Sequence, residues 1–295
     1  MKKPTKFQAY WLAARPKTLW AAVSPVIIGS ALAFADGGFH PVAALVAALG
    51  AVLIQIGTNY ANDYYDFLKG ADDEERLGPT RATQAGWVTP QEMRRATLLV
   101  FSLTFVIGLY LVSRAGWPIL LVGVLSILFG ILYTAGPYPL GYHGLGDIFV
   151  FIFFGLVAVG GSYYVQTLRL TPEVLLAGIA PGLFSTAILT VNNLRDLPND
   201  RRAGKRTLAV RFGEKFARME YFFSVGIALL MPLLMIGLTG GHYAALLAML
   251  AIFPSLPSLR IIGKEPPGRI MNEVLANTGK SLFIYSLLFS IGWIL

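Results

Sequence analysis

Two stretches of the chain place an asparagine four residues ahead of an aspartate, and each ends a long apolar run. The first pair is Asn62/Asp66, in NDYYD; the second is Asn192/Asp196, in NNLRD. Residues four apart share one face of a helix, so each pair aims two oxygen-bearing side chains at one spot. A further aspartate follows each pair: Asp72 beyond Lys69-Gly70, which reads as a helix stop, and Asp200 in a loop just past Pro198. Two clusters of hard oxygen ligands beside grease suit a divalent cation. Mg²⁺ in particular is held by a few carboxylates together with substrate phosphates. A diphosphate would complete such a shell, with Lys205, Arg81 and Arg195 neutralising its outer face.

The elements that must carry these residues are membrane helices. The chain has 295 residues, 55% of them hydrophobic, and a mean hydropathy of +0.62. Apolar runs near the bilayer-spanning length of about 20 residues recur from end to end. They predict an all-α, polytopic membrane protein with nine spans: 18–35, 42–66, 92–113, 117–134, 146–166, 173–194, 217–238, 241–262 and 276–295. The period-two alternation of a membrane barrel is missing. The apolar stretch after MKKPTK is too long for the core of a cleaved signal and reads as the first span. With no cysteine there is neither a disulfide nor thiolate chemistry.

Nine spans sort the connections into two sets, and 22 of the 24 lysines and arginines fall in one of them. The positive-inside rule then puts the N-terminus in the cytoplasm and the C-terminus outside. The net charge of +8 follows from that topology and from anionic headgroups, without a nucleic-acid partner. The two motifs lie 130 residues and four spans apart. Their helices therefore run the same way, with both sites at the cytoplasmic end. This is one membrane domain, 1–295, built from two parallel four-helix repeats, about 18–134 and 146–262, plus a ninth helix at about 276–295. An inverted repeat would have split the motifs between the two sides.

These residues resemble the UbiA-type superfamily of intramembrane aromatic prenyltransferases, marked by N-D-x-x-D-x-x-x-D after its second helix and D-x-x-x-D after its sixth. RPKTLWAAVSPVIIGSALA, NDYYDFLKGADDEERLGPTRATQAGWV, YTAGPYPLGYHGLGDIFVFIFFGLVAVGGSYYVQ and NNLRDLPNDRRAGKRTLAVRFG are similar to its 1,4-dihydroxy-2-naphthoate polyprenyltransferase branch, so the likeness covers essentially the whole chain. The resemblance implies a UbiA-type helical bundle in the cell inner membrane. It also implies transfer of a polyprenyl group from its diphosphate to 1,4-dihydroxy-2-naphthoate, with loss of carbon dioxide, in menaquinone biosynthesis. Carried over, Asn62, Asp66, Asn192, Asp196 and Asp200 take the family's Mg²⁺–diphosphate positions, Arg81 its loop arginine and Lys205 its diphosphate-binding lysine. Two departures stand out. Gly70 occupies the place of the first motif's last aspartate, with Asp72 two residues later. Relatives that use hydroxybenzoate carry Y-x-x-x-K after the fourth helix, whereas this chain has Tyr133 followed by Pro137 at the lysine position.

Such a site would work by ionisation of the allylic diphosphate, assisted by two Mg²⁺ ions, in a cavity that keeps water from the cation. Tyr133 is a candidate to orient the aromatic acceptor, or an interfacial packing residue. Asp63, beside Asn62, would orient ligands or substrate, or else be a solvated helix-end acid. Asp147, at the start of the fifth span, is a candidate to face the substrate. Asp73, Glu74 and Glu75 read as solvated loop charges, and the 31 glycines as serving mostly close helix packing. Another acceptor, such as 4-hydroxybenzoate, is the nearest alternative. A cation- or proton-coupled transporter is the alternative from another class, disfavoured by the parallel duplication and by acids at one face rather than the midplane.

Overall fold

The computed structural model describes residues 4–70 and 77–295. In lipid every backbone polar group must find its partner within the protein, and among the described residues the regular structure is entirely helical. In chain order the helices are α1 (Lys6–Ala13), α2 (Trp20–Ala35), α3 (Pro41–Leu68), α4 (Pro90–Ala115), α5 (Trp117–Leu132), α6 (Gly146–Thr167) and α7 (Pro172–Arg195). Two short ones follow, α8 (Leu197–Arg202) and α9 (Leu208–Phe212), then α10 (Glu214–Thr239), α11 (Tyr243–Lys264) and α12 (Met271–Ile294).

Each of the nine apolar segments has a helical counterpart, but the lengths do not support nine crossings. Seven helices are long and apolar enough to span, or eight if Lys6–Thr18 and Trp20–Ala35, bent by 52°, form one broken span. Helix α5, with 16 residues, falls short of the length a bilayer requires. The chain is a multi-pass membrane protein. Helix α1 was not expected within the basic N-terminus. Its capping box, Thr5 with Gln8, starts it, and it presents Phe7 and Trp11 outward. Asn59 Nδ2 donates to the Ala14 carbonyl at 2.9 Å and the Tyr60 hydroxyl to the Tyr10 carbonyl at 3.1 Å, strapping α1 against the last turns of α3.

Packing is uneven. One large core joins α2, α6, α7, α10, α11 and α12 through Ile28, Tyr163, Phe184, Tyr221, Ile262 and Leu282. Helix α7 runs through its middle. Its counterpart α3 is thinly covered, and beside it an apolar cavity opens between α2, α3, α4, α5 and α6. Ile54, Phe105, Leu109, Ile127, Phe149 and Phe153 line it. Helix α6 passes through a π-helical stretch, Ile152–Val157, where it borders this cavity. Such widened turns recur at functional sites.

Glycine serves packing only in part, contrary to the sequence expectation. A Cβ on Gly155 of α6 would stand 2.5 Å from the Gly178 carbonyl of α7, so the two backbones touch. Gly226 in α10 has open space around it, as do Gly108, Gly123 and Gly237. Gly155→Ala should therefore destabilise by about 1–3 kcal/mol through overpacking. Gly226→Ala should be neutral or stabilising, by up to about 1 kcal/mol of helix propensity. Thermal unfolding of both variants in detergent checks the contrast.

Candidate active site

The first motif occupies the last two turns of α3. The helix stops where the sequence indicates: Lys69 caps it, and Gly70 takes the left-handed conformation, φ +63°, that glycine adopts without strain. Asn62 is buried, and its Oδ1 accepts from the Thr134 hydroxyl at 2.9 Å. Asp66, 2% exposed, is gripped on both oxygens. Oδ2 takes the Arg81 guanidinium at 2.7 Å, and Oδ1 accepts from the Tyr142 hydroxyl at 2.7 Å with Lys205 Nζ 3.9 Å away. Asp72 lies outside the described residues.

The second motif spans a break between helices. Asn192 sits in the last turn of α7, where its Nδ2 donates back to the Ile188 carbonyl at 3.3 Å. Asp196 is the residue between α7 and α8. Asp200 lies on the short helix α8 rather than in the expected loop, because Pro198 falls in the first turn, where the missing N–H is harmless. Lys205 folds back over it. Its N–H donates to the Asp200 carbonyl at 2.9 Å, and its Nζ is 3.5 Å from the Asp200 carboxylate. One ammonium thus stands beside an acid of each motif. Lys69 approaches from α3, its Nζ 2.6 Å from the Thr134 carbonyl. Burial, with the charge of Lys205, holds that ammonium below the ordinary lysine value against the pull of Asp66.

Arg195 and Asp63 are engaged by the protein itself. Arg195, 1% exposed, is turned into the protein instead of outward. Its Nε and Nη2 grip the Asp196 carboxylate at 2.8 and 2.6 Å, and its Nη1 donates to Asn272 of α12 at 2.8 Å. Asn272 Nδ2 in turn reaches the Leu77 carbonyl at 2.9 Å, linking the second motif to the chain that leaves the first. Asp63 is no solvated acid: it accepts the amides of Ala82 and Thr83 at 2.9 and 3.0 Å, which sets the turn that presents Arg81. Asp147, 6% exposed at the start of α6, keeps a buried Oδ1 without a hydrogen bond among the described residues. A carboxylate oxygen left so is costly unless something else meets it. Tyr133 stands at the cavity mouth, seated against Gly141 and Gly146, where a Cβ would come within 2.8 and 2.9 Å of its ring and hydroxyl.

Sequence reasoning missed Lys69, Tyr142, Asn272 and Glu220. The last had a readable signal, an acid inside an apolar span; it lies half-buried on α10 and feels the charge of Asp147. No group of three or more His, Cys, Asp or Glu side chains converges on one point among the described residues. The donor set still fits Mg²⁺. This ion takes one or two carboxylates and completes its octahedron with water and substrate phosphate oxygens, and Asn62, Asp66, Asn192, Asp196 and Asp200 are all oxygen donors, with Lys205 Nζ 3.9 Å from Asp66 and 3.5 Å from Asp200. The apolar cavity reaches Thr58, one helical turn below Asn62. The arrangement offers cations and oxygen ligands to a charged head and grease to a tail.

Asp63→Ala should release the turn carrying Arg81, because each bond from a backbone amide to a charged acceptor contributes about 1.5–3 kcal/mol. Trypsin cleavage after the now accessible Arg81 should accelerate roughly tenfold or more. Mass spectrometry of the fragments reads it directly.

The chain is 41% identical, over 98% of its own length and 96% of the relative's, to the 1,4-dihydroxy-2-naphthoate octaprenyltransferase of Escherichia coli K12. It is 36% identical to the protein of the same name from Haemophilus influenzae, over 97% of this chain and 96% of that one. Among solved structures, a UbiA homolog from Archaeoglobus fulgidus bound to GPP and Mg²⁺ shares the fold, with TM-score 0.71 at 14% identity over 97% of this chain and all of that one. The model of the UbiA prenyltransferase family matches residues 22–287. The chain belongs to the UbiA prenyltransferase family.

Proposed function

We propose that this protein transfers a polyprenyl group from polyprenyl diphosphate to 1,4-dihydroxy-2-naphthoate, with loss of carbon dioxide and diphosphate, yielding a demethylmenaquinone. The observation that carries this reading is the approach of Lys205 to Asp66 and Asp200, Asp66 standing on the helix whose Thr58 lines the apolar cavity. The full-length likeness to naphthoate octaprenyltransferases supports the choice of acceptor.

Asn62, Asp66, Asn192, Asp196 and Asp200 would hold Mg²⁺. When bound, the metal supplies positive charge to the departing diphosphate and so lowers the barrier to breaking the allylic C–O bond. The chain's own residues do the rest. Lys69, Arg81 and Lys205 neutralise the diphosphate. Arg195 fixes the Asp196 carboxylate so that it meets its ligand without reorganising. The cavity between α2 and α6 takes the hydrocarbon tail and keeps water from the electron-poor allylic carbon. Tyr133 lines the cavity and Asp147 starts the neighbouring α6; there the naphthoate ring would supply the electron pair for the new C–C bond. The whole chain forms one membrane domain, helices α2–α5 and α6–α11 being its parallel repeats and α12 the addition. The lysine and arginine asymmetry supports a cytoplasmic N-terminus, with the catalytic mouth on that side of the cell membrane.

Membranes containing the protein, given dihydroxynaphthoate, a polyprenyl diphosphate and Mg²⁺, should form prenylated naphthoquinone, and EDTA should stop it. Hydroxybenzoate in the same assay should be a poor acceptor. Asp66→Ala and Asp196→Ala should each lower turnover by about 10²-fold or more, the scale of losing one charge-stabilising group, while the protein stays folded in detergent. No product, together with indifference to EDTA, would contradict the proposal.

A further inference from the structure

Tyr142 belongs to neither motif, yet it touches the first and the residues that follow the second. It lies in a 3-10 turn, Leu140–Tyr142, on the connection between α5 and α6. Its hydroxyl donates to Asp66 Oδ1 at 2.7 Å. Its ring lies under two ammonium groups, Lys69 Nζ at 4.7 Å from the centroid and Lys205 Nζ at 4.8 Å. Its carbonyl accepts from the Arg206 amide at 2.7 Å. Lys69 follows the first motif; Lys205 and Arg206 follow the second.

The turn is firmly mounted. The Gly141 amide donates to the Tyr133 carbonyl at 3.0 Å, and Arg211 Nη2 donates to the His143 carbonyl at 2.8 Å. Gly144, with φ +71°, brings the chain so close to the Arg206 carbonyl that a Cβ would stand 2.8 Å from it. Two like charges that converge on one spot repel. The electron-rich face of a tyrosine ring is one of the few neutral groups that attracts both without pairing off either. A carboxylate in that place would neutralise the lysines and remove their value to an anion.

We infer that Tyr142 is a positioning residue that presents Lys69 and Lys205, one from each motif, as a paired cationic clamp for the diphosphate, and orients Asp66 through its hydroxyl. Each ammonium is held on one side by an oxygen partner, Lys205 by Asp200 at 3.5 Å and Asp66 at 3.9 Å and Lys69 by the Thr134 carbonyl at 2.6 Å, and the ring is the neutral surface that brings the two together. The inference rests on the reading of the site as a diphosphate clamp. It does not depend on which aromatic acceptor is used.

The test separates ring from hydroxyl. Binding of inorganic diphosphate in the presence of Mg²⁺ is measured by calorimetry on the full-length protein in nanodiscs, for wild type, Tyr142→Phe and Tyr142→Leu. Phe keeps the ring and should bind diphosphate within about twofold of wild type, whereas Leu should bind about tenfold more weakly. With substrate, Phe should lower kcat and raise the Mg²⁺ concentration needed, leaving KM for the polyprenyl diphosphate little changed; Leu should raise that KM. Diphosphate affinity of Leu equal to wild type would overturn the inference, as would equal losses in Phe and Leu. If Leu fails to fold, Phe decides: a tenfold loss of diphosphate affinity there excludes the ring as the determinant, and retained affinity with the shifted Mg²⁺ requirement supports it. A wild-type protein that binds diphosphate but does not prenylate naphthoate would refute the choice of acceptor alone. One that binds no diphosphate would refute both the clamp and the role of Tyr142.

Discussion

Charge beside hydrocarbon must be matched, and this constraint organises the site. An unpaired carboxylate at the lip of a membrane bundle is expensive, and the buried acids of the two motifs are correspondingly surrounded. Arg81, Tyr142 and Lys205 surround Asp66; Arg195 grips Asp196; Lys205 reaches Asp200. Backbone amides of the turn that carries Arg81 satisfy Asp63. Partners therefore come in two kinds. Some, such as Arg195 and the Ala82 and Thr83 amides, are fixed parts of the protein. Others, such as Lys205, hold acids of both motifs and stand where an anionic substrate would meet them.

Unequal packing of the two halves serves the same division. Helix α7 is embedded in the large core, which makes its end a firm base for Asn192 and Asp196. Helix α3 borders the cavity, leaving space beneath Asn62 for an apolar chain. The contact of Gly155 with Gly178 draws α6 tightly onto α7, on the side away from that space. Helix α12, outside the proposed repeats, adds the bond from Asn272 to Arg195 and so ties the end of the chain to its centre.

Much of this was legible because it is local. Apolar runs near the bilayer-spanning length mark the helices, and the spacing of Asn62 to Asp66 and of Asn192 to Asp196 marks the faces. Gly70 marks the stop of α3. What escaped depends on contacts between distant residues. Tyr142 meets Asp66 across 76 positions, and Asn272 meets Leu77 across 195. Arg195 reads in the sequence as a cation for the diphosphate; its burial against Asp196 and Asn272 shows only in the packing of α12. The count of nine spans is not confirmed, for a similar reason. Apolar length cannot distinguish a full crossing from a 16-residue helix such as α5.

The central claim is that the two motifs form one clamp around one diphosphate. A double-mutant cycle tests it most directly: diphosphate affinity in Mg²⁺ for wild type, Asp66→Asn, Asp200→Asn and the double variant. If both acids act on the same ligand, the two losses should be coupled by about 1 kcal/mol or more. Losses that add within about 0.3–0.5 kcal/mol, as independent sites do, would contradict the single clamp.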